Sequence, residues 1–255
     1  MIAAGLLLLA VGAADLVRQF APRRWIGYLA VVVVLLLLGS VSDALLPTAA
    51  ALAVGALWVW SMPDDRPTPL GFWPAVLLAL VVVGAVVWLP SRVESGLIGE
   101  VWVLRSPFGD VPFDLAVLAL GAAVFLLESS NLVVRAALDG EHTWRPVDAR
   151  AERSGPPASA PAALTDGESP AAPRSGFQGG RLIGPLERML VLILTLATAY
   201  PVLAAMLAAK GIVRFPEISR DGETGARAEY FLVGSLVSWV IALGAAFLVW
   251  WAAHS

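Results

Sequence analysis

The sequence predicts an all-α protein, a polytopic membrane bundle of about seven transmembrane helices. Three observations carry that expectation. Of the 255 residues, 58% are apolar and only 15% are charged, whereas a soluble domain usually carries about 25% charged residues. The apolar residues fall in blocks, and a block of about 20 residues is what a helix needs to cross a bilayer. The stretch Val31 to Leu38 is four valines followed by four leucines, and a closed barrel, the other structure lipid permits, requires strict alternation.

The first predicted span is about Ile2 to Gln19. It has neither a basic leader nor an A-x-A site before a polar chain, so it does not read as a cleaved signal. The second is Trp25 to Ser42. The third, Pro47 to Met62, is short and ends in an aromatic collar of Trp58 and Trp60. The fourth, Phe72 to Leu89, has Trp73 and Trp88 near its two ends, suited to the two headgroup layers. The fifth runs from Phe113 to about Leu138, the sixth from about Leu186 to Ala209, and the seventh from Glu229 to Trp251.

Between the fifth and sixth spans lies 139–180, of whose 42 residues 24 are Ala, Pro, Gly or Ser. Such a segment cannot bury a core and is expected to be a disordered cytoplasmic linker. It divides the chain into a five-span block, 1–138, and a two-span hairpin, 181–255.

The basic residues set the expected orientation. With the N-terminus outside the plasma (inner) membrane, eleven lie inside, among them Arg18, Arg23, Arg24 and Arg135, and six lie outside. Lys210, Arg214, Arg220 and Arg227 are the misfit, a basic segment on the predicted outer side. Either the sixth span is re-entrant or an earlier span is wrongly placed. The loop Pro90 to Pro112 holds an apolar cluster around Leu97 to Leu104, which suits an interfacial helix, a small strand or an ordered outer loop.

Charges inside spans are the best pointers to function. Glu128 interrupts the fifth span, where nine Leu, Val or Phe residues precede it. At the usual helical spacing Glu128, Asn131 and Arg135 share a face. Asp15 sits one turn before Arg18 in the first span, at a spacing that allows pairing. Asp15, Arg18, Glu128, Asn131 and Arg135 therefore form a candidate polar cluster; the alternative is side chains snorkelling to headgroups. In the sixth span Tyr200-Pro201 predicts a kink. In the seventh, Gly234 and Ser238 form a small-xxx-small pair that permits close helix contact.

The C-terminal part carries three separated motifs. Ile183-Gly184-Pro185-Leu186-Glu187-Arg188 fits I-G-x-L-E-R. Ala208 to Phe215, with Lys210 and Arg214, fits A-A-K-x-x-x-R-F. Glu229-Tyr230-Phe231-Leu232-Val233-Gly234-Ser235-Leu236 fits E-Y-x-L-x-G-S/T-L. Residues 180–250 thereby resemble the C-terminal segment of a family of uncharacterised bacterial multi-pass inner-membrane proteins. The resemblance implies an inner-membrane location and a shared hairpin, and no activity. The histidine and aspartate motif usual in that family's N-terminal domain is not found here. Lys210 and Arg214, one turn apart, are candidate contacts for an anion or a partner's carboxylate. The alternative is plain interface anchoring.

Enzyme chemistry finds little support in the sequence. There is no cysteine, and there are two histidines, His142 and His254. H-E-x-x-H, G-x-S-x-G and P-loop patterns are missing, and Asp64-Asp65 reads as a solvated turn. No metal, cofactor or nucleic-acid partner is expected. The expected partners are the lipid bilayer and another protein or a second copy of the chain. The leading expectation is a non-catalytic membrane subunit or scaffold, and the alternative is a transporter or channel built around Glu128.

Overall fold

In the computed structural model the described residues are 1–62, 70–89, 92, 96–106, 109–140, 180–218 and 226–255. The expected linker 139–180 lies almost wholly outside them. Helix α1 (Ile2–Phe20) ends where Ala21, held extended, precedes Pro22, as a residue before proline prefers. Helix α2 (Arg24–Val41) follows, and a tight turn through Asp43 leads to α3 (Leu45–Ser61). Helix α4 (Trp73–Trp88) has Pro74 in its first turn, where a missing N–H costs nothing. The short helix α5 (Gly96–Val101) and a two-stranded hairpin of β1 (Arg105–Ser106) and β2 (Gly109–Asp110) cap one end of the bundle. There Trp102 donates to the carbonyl of Val111 at 2.9 Å and meets Phe113 edge-on.

Helices α6 (Phe113–Leu127) and α7 (Ser129–Gly140) are one apolar run bent by 48° at Glu128. Helices α8 (Gly180–Leu196), α9 (Tyr200–Ile218) and α10 (Ala226–His254) complete the chain.

α1 lies at the centre. About 67% of its apolar stretch is buried, against 11% in α2. It packs on α6, α3, α2 and α4. Its closest neighbour is α6, because three glycines remove the side chains between them. A Cβ on Gly5 would sit 2.7 Å from the Leu118 backbone, and one on Gly121 would sit 2.4 Å from the Gly5 carbonyl oxygen. Gly12 is 2.8 Å from the Phe125 backbone by the same measure. Small residues are what permit such close approach between helices.

These contacts also give directions. Gly5 with Leu118 and Gly12 with Phe125 make α1 and α6 parallel. Asp15 with Trp58 and Arg18 with Met62 make α1 and α3 parallel. Gly27 beside Val17 makes α2 antiparallel to α1. Arg92, just beyond α4, reaches Ser42 and Asp114, so α4 ends where α2 ends and α6 begins. The first five apolar segments thus alternate in direction. The C-terminal helices are part of the same bundle, since α10 packs on α7, α6 and α8, and α8 packs on α6.

Seven uniform spans are not what the chain builds. Among the described residues three helices, Ile2–Phe20, Arg24–Val41 and Ala228–His254, are long and apolar enough to cross a membrane, and the bent pair α6–α7 makes a fourth if it is one span. Leu45–Ser61, Trp73–Trp88 and Tyr200–Val213 are apolar but shorter. At 1.5 Å per residue, helices of this length cover about 20–26 Å of a core of about 30 Å.

The predicted sixth span is also not one helix. The chain leaves α8 through Thr198, at φ 55°, with the Ala199 N–H donating to the Leu194 carbonyl at 2.9 Å. That is the backbone pattern of a helix stop with a left-handed residue, a place usually held by glycine. Pro201 then occupies the first turn of α9 and produces no kink. α9 runs back along α8.

Candidate functional site

The chemistry of this bundle lies in charged groups set among apolar helices. The largest network surrounds the break at Glu128. Bending the run there leaves carbonyls of the last turn of α6 without helical partners. The Leu126 carbonyl accepts from the Ser130 hydroxyl at 2.8 Å and from Arg188 Nε at 2.9 Å. Arg188, 2% exposed, also donates to Asn131 Oδ1, and to Ser238 Oγ at 3.4 Å. Asn131 donates in turn to Glu128 Oε2 at 3.2 Å. One guanidinium on α8 therefore holds α6, α7 and α10. A planar, always-charged fork suits that task better than an ammonium. Beside it the hydroxyl of Ser129 is buried without a hydrogen-bond partner.

A second network sits on α1. Asp15, 1% exposed, accepts from Arg18 within the helix and from Trp58 Nε1 at 2.9 Å. Arg18 reaches the Met62 carbonyl at 2.6 Å, at the end of α3. The pair is nearly neutral as a unit, which lowers the cost of burying two charges. It also ties α1 to α3 at that level.

The third network closes the mouth of the α8–α9 hairpin. Lys210 Nζ donates to both Glu187 oxygens at 2.7 Å, and Trp239 Nε1 of α10 donates to Glu187 Oε1 at 2.7 Å. Lys210 also faces the rings of Trp239 and Phe231 at 5.4 and 5.7 Å, an arrangement that favours a cation.

A fourth lies at the opposite end of the bundle. Arg92 pairs with Asp114 at 2.8 Å and donates to the Ser42 carbonyl at 2.7 Å. It clamps the α2–α3 turn to the start of α6. The α-amino group of Met1 lies in the field of the same pair. Burial pushes its pKa below the ordinary value, with Asp114 opposing and Arg92 adding to the fall.

The predicted cluster is thus distributed. Asp15 and Arg18 meet as the spacing suggests, and their hydrogen bonds run to α3. Glu128 and Asn131 also meet, around Arg188. Glu128 is the residue at the break and is buried, and Arg135, further along α7, is exposed. Lys210 meets Glu187. The side chain of Arg214 lies outside the described residues. Glu229 is exposed and Tyr230 half-buried.

Sequence reasoning missed Arg188 as the hub and the Arg92–Asp114 clamp. Both pairings join residues far apart in the chain, and only the apolar setting of each charge hinted at a partner.

Two cavities are lined by described residues alone. One of about 330 Å³ lies under the β1–β2 hairpin, and an apolar one of about 280 Å³ lies between α1, α2 and α3. Asp15, Glu128 and Glu187 line neither. Among the described residues no group of three His, Cys, Asp or Glu is placed to hold a metal.

Fold and networks together define a class: an all-helical bundle with apolar helices compatible with a membrane, and with buried charges bonded between its own helices. No protein family matches the chain, and neither a curated protein nor a solved structure matches it.

Proposed function

We propose that this chain is a multi-pass membrane protein acting as a non-catalytic subunit or scaffold, through contacts with another protein or a second copy of itself. Its N-terminus is outside and 139–180 is cytoplasmic. The observation that carries this is the use made of the buried charges. Arg188 is bonded to three other helices, Asp15 and Arg18 to α3, and Glu187 to α9 and α10. Charges spent in this way hold a frame; they are not left open to a passing solute. The resemblance of residues 180–250 to bacterial inner-membrane proteins supports the location, and its three motifs fall on α8, α9 and α10, with Glu187 of the first bonded to Lys210 of the second. Val33, Val34, Leu36 and Leu37 of α2 are exposed and apolar, as a bilayer or a partner helix would require.

A transporter or channel is the second reading. The break at Glu128 and the hairpin at Thr198 favour it, because interrupted helices are how many transporters build a site at membrane depth. The unpartnered Ser129 hydroxyl lies at that break.

Native mass spectrometry of protein gently extracted from its own membrane tests the choice. A stoichiometric second polypeptide, or a defined homo-oligomer that moves no solute after reconstitution, supports the scaffold. Solute flux in proteoliposomes that is lost with Glu128→Gln overturns it in favour of transport.

A further inference from the structure

We propose that α8 and α9 form a re-entrant hairpin that starts from and returns to the face of the membrane bearing 139–180, latched at its mouth by Glu187 and Lys210, so that both ends of the chain lie on the opposite face. The proposal takes its inside and outside from the orientation given above. The hairpin itself does not depend on that orientation.

The geometry is fixed by five contacts. Glu187 and Lys210 are bonded at 2.7 Å although 23 residues separate them, with the left-handed turn at Thr198 about midway. α9 therefore descends alongside α8 and ends near the level at which α8 began. Arg188 bonded to Ser238, and Glu187 bonded to Trp239, set α10 beside α8 at that level. Further on, Val191 and Leu192 cluster with Ala242 and Ala246, so α10 rises parallel to α8. Gly234 beside Leu138 and Val134 makes α10 antiparallel to α7, which descends toward 139–180.

The depth of the tip follows from helix rise. Thr198 lies ten residues beyond Arg188, about 15 Å at 1.5 Å per residue. α10 continues sixteen residues beyond Ser238 to His254, about 24 Å by the same rise. The turn therefore stops about 9 Å short of the far end of α10. It carries no charge: residues 195–200 read Thr-Leu-Ala-Thr-Ala-Tyr.

The charges agree independently. With the hairpin re-entrant, Lys210, Arg214, Arg220 and Arg227 move to the cytoplasmic side. Fifteen of the seventeen basic residues then lie toward the cytoplasmic side, and Arg92 and Arg105 toward the outer side. A single continuous sixth span leaves six outside. The excess of Lys and Arg in short cytoplasmic loops is a strong determinant of threading, and the folded-back hairpin removes its one violation. Six crossings, α1, α2, α3, α4, α6–α7 and α10, then bring the C-terminus to the same face as the N-terminus.

The chain has no cysteine, so single-cysteine probes need no prior removal of native thiols. Val103→Cys, Ser154→Cys, Ala197→Cys, Ser219→Cys and Ser255→Cys would each be treated with a membrane-impermeant maleimide in right-side-out and inside-out vesicles. Labelling after detergent solubilisation measures total reactive protein. Cysteines at 154 and 219 are expected to react from one face only, and those at 103 and 255 from the other only. The cysteine at 197 is expected to be protected from the face that exposes 103. Reaction of the 219 probe together with the 103 probe overturns the proposal, and so does reaction of the 197 probe from that face. If 103 and 255 react together from the cytoplasmic face, the hairpin stands and the orientation fails.

Discussion

Replacing Arg188 with methionine removes the hub of the bundle while keeping much of its apolar stem. Three bonds are lost: to the Leu126 carbonyl at 2.9 Å, to Asn131, and to Ser238 at 3.4 Å. Interhelical hydrogen bonds in membranes average about 0.6 kcal/mol and reach about 1.7. Two good bonds and one long one therefore amount to about 2–4 kcal/mol. The upper part of that range is expected, because Glu128, 7% exposed, loses a cation whose field it feels. Removing one member of a buried charged set leaves the others less well compensated. Arg188→Lys keeps the charge but not the fork and should fall between wild type and Arg188→Met. The assay is reversible unfolding in mixed micelles, run as a double-mutant cycle. Glu128→Gln added to Arg188→Met should restore part of the loss, since it removes a buried charge that Arg188 no longer balances. The reasoning is refuted if Arg188→Met is as stable as wild type, or if Glu128→Gln costs as much in its presence as alone.

Other substitutions test separate parts of the frame. Gly121→Val drives a side chain into the α1 backbone and should destabilise by about 1–3 kcal/mol or more, read as a fall in detergent melting temperature; no change would mean that α1 and α6 are not in contact at Gly5. Trp58→Phe keeps the ring but removes the donor to Asp15. It should cost about 1–3 kcal/mol, as a bond to a charged group does, and the loss should largely vanish in an Asp15→Asn background. Thr198→Gly relieves a left-handed β-branched residue and should stabilise by about 1 kcal/mol; a loss of stability would show that the hairpin turn has another conformation. Lys210→Met should release α9, seen as faster proteolysis or hydrogen exchange of 200–218 with α1–α4 unaffected.

Much of the class was legible in the residues. Blocked apolar runs gave helices and a membrane-like surface, and the Asp15–Arg18 spacing gave a pair that the fold forms. The helix interruptions were harder. Around Glu128 the polar set Glu-Ser-Ser-Asn follows an apolar run able to carry it as one helix, and the bend is held by Arg188, which comes from about 60 residues later. The reversal at Thr198 contains no glycine, so Pro201 read as a kink within a helix when it begins a new one. A proline is compatible with either, and the partner that decides between them, Glu187 for Lys210, is a tertiary contact. The Arg92–Asp114 clamp was hidden for the same reason: each residue stood in a different segment, and a list of charges does not pair them.

The position of α1 has a consequence for how the protein is made. It leaves the ribosome before every helix it packs against, and its closest packing partner, α6, is encoded more than a hundred residues later. At the usual elongation rate of about 5–20 residues per second, the glycine-lined stripe of α1 waits several seconds for the backbone it is shaped to meet. For the first part of that interval Trp58 and Met62 are also still to come, so Asp15 has one partner already at hand, Arg18 of its own helix. An acid and a base one turn apart make a newborn segment that can enter lipid as a nearly neutral rod. The pair that fastens α1 to α3 is thus complete within α1 before α3 has been made.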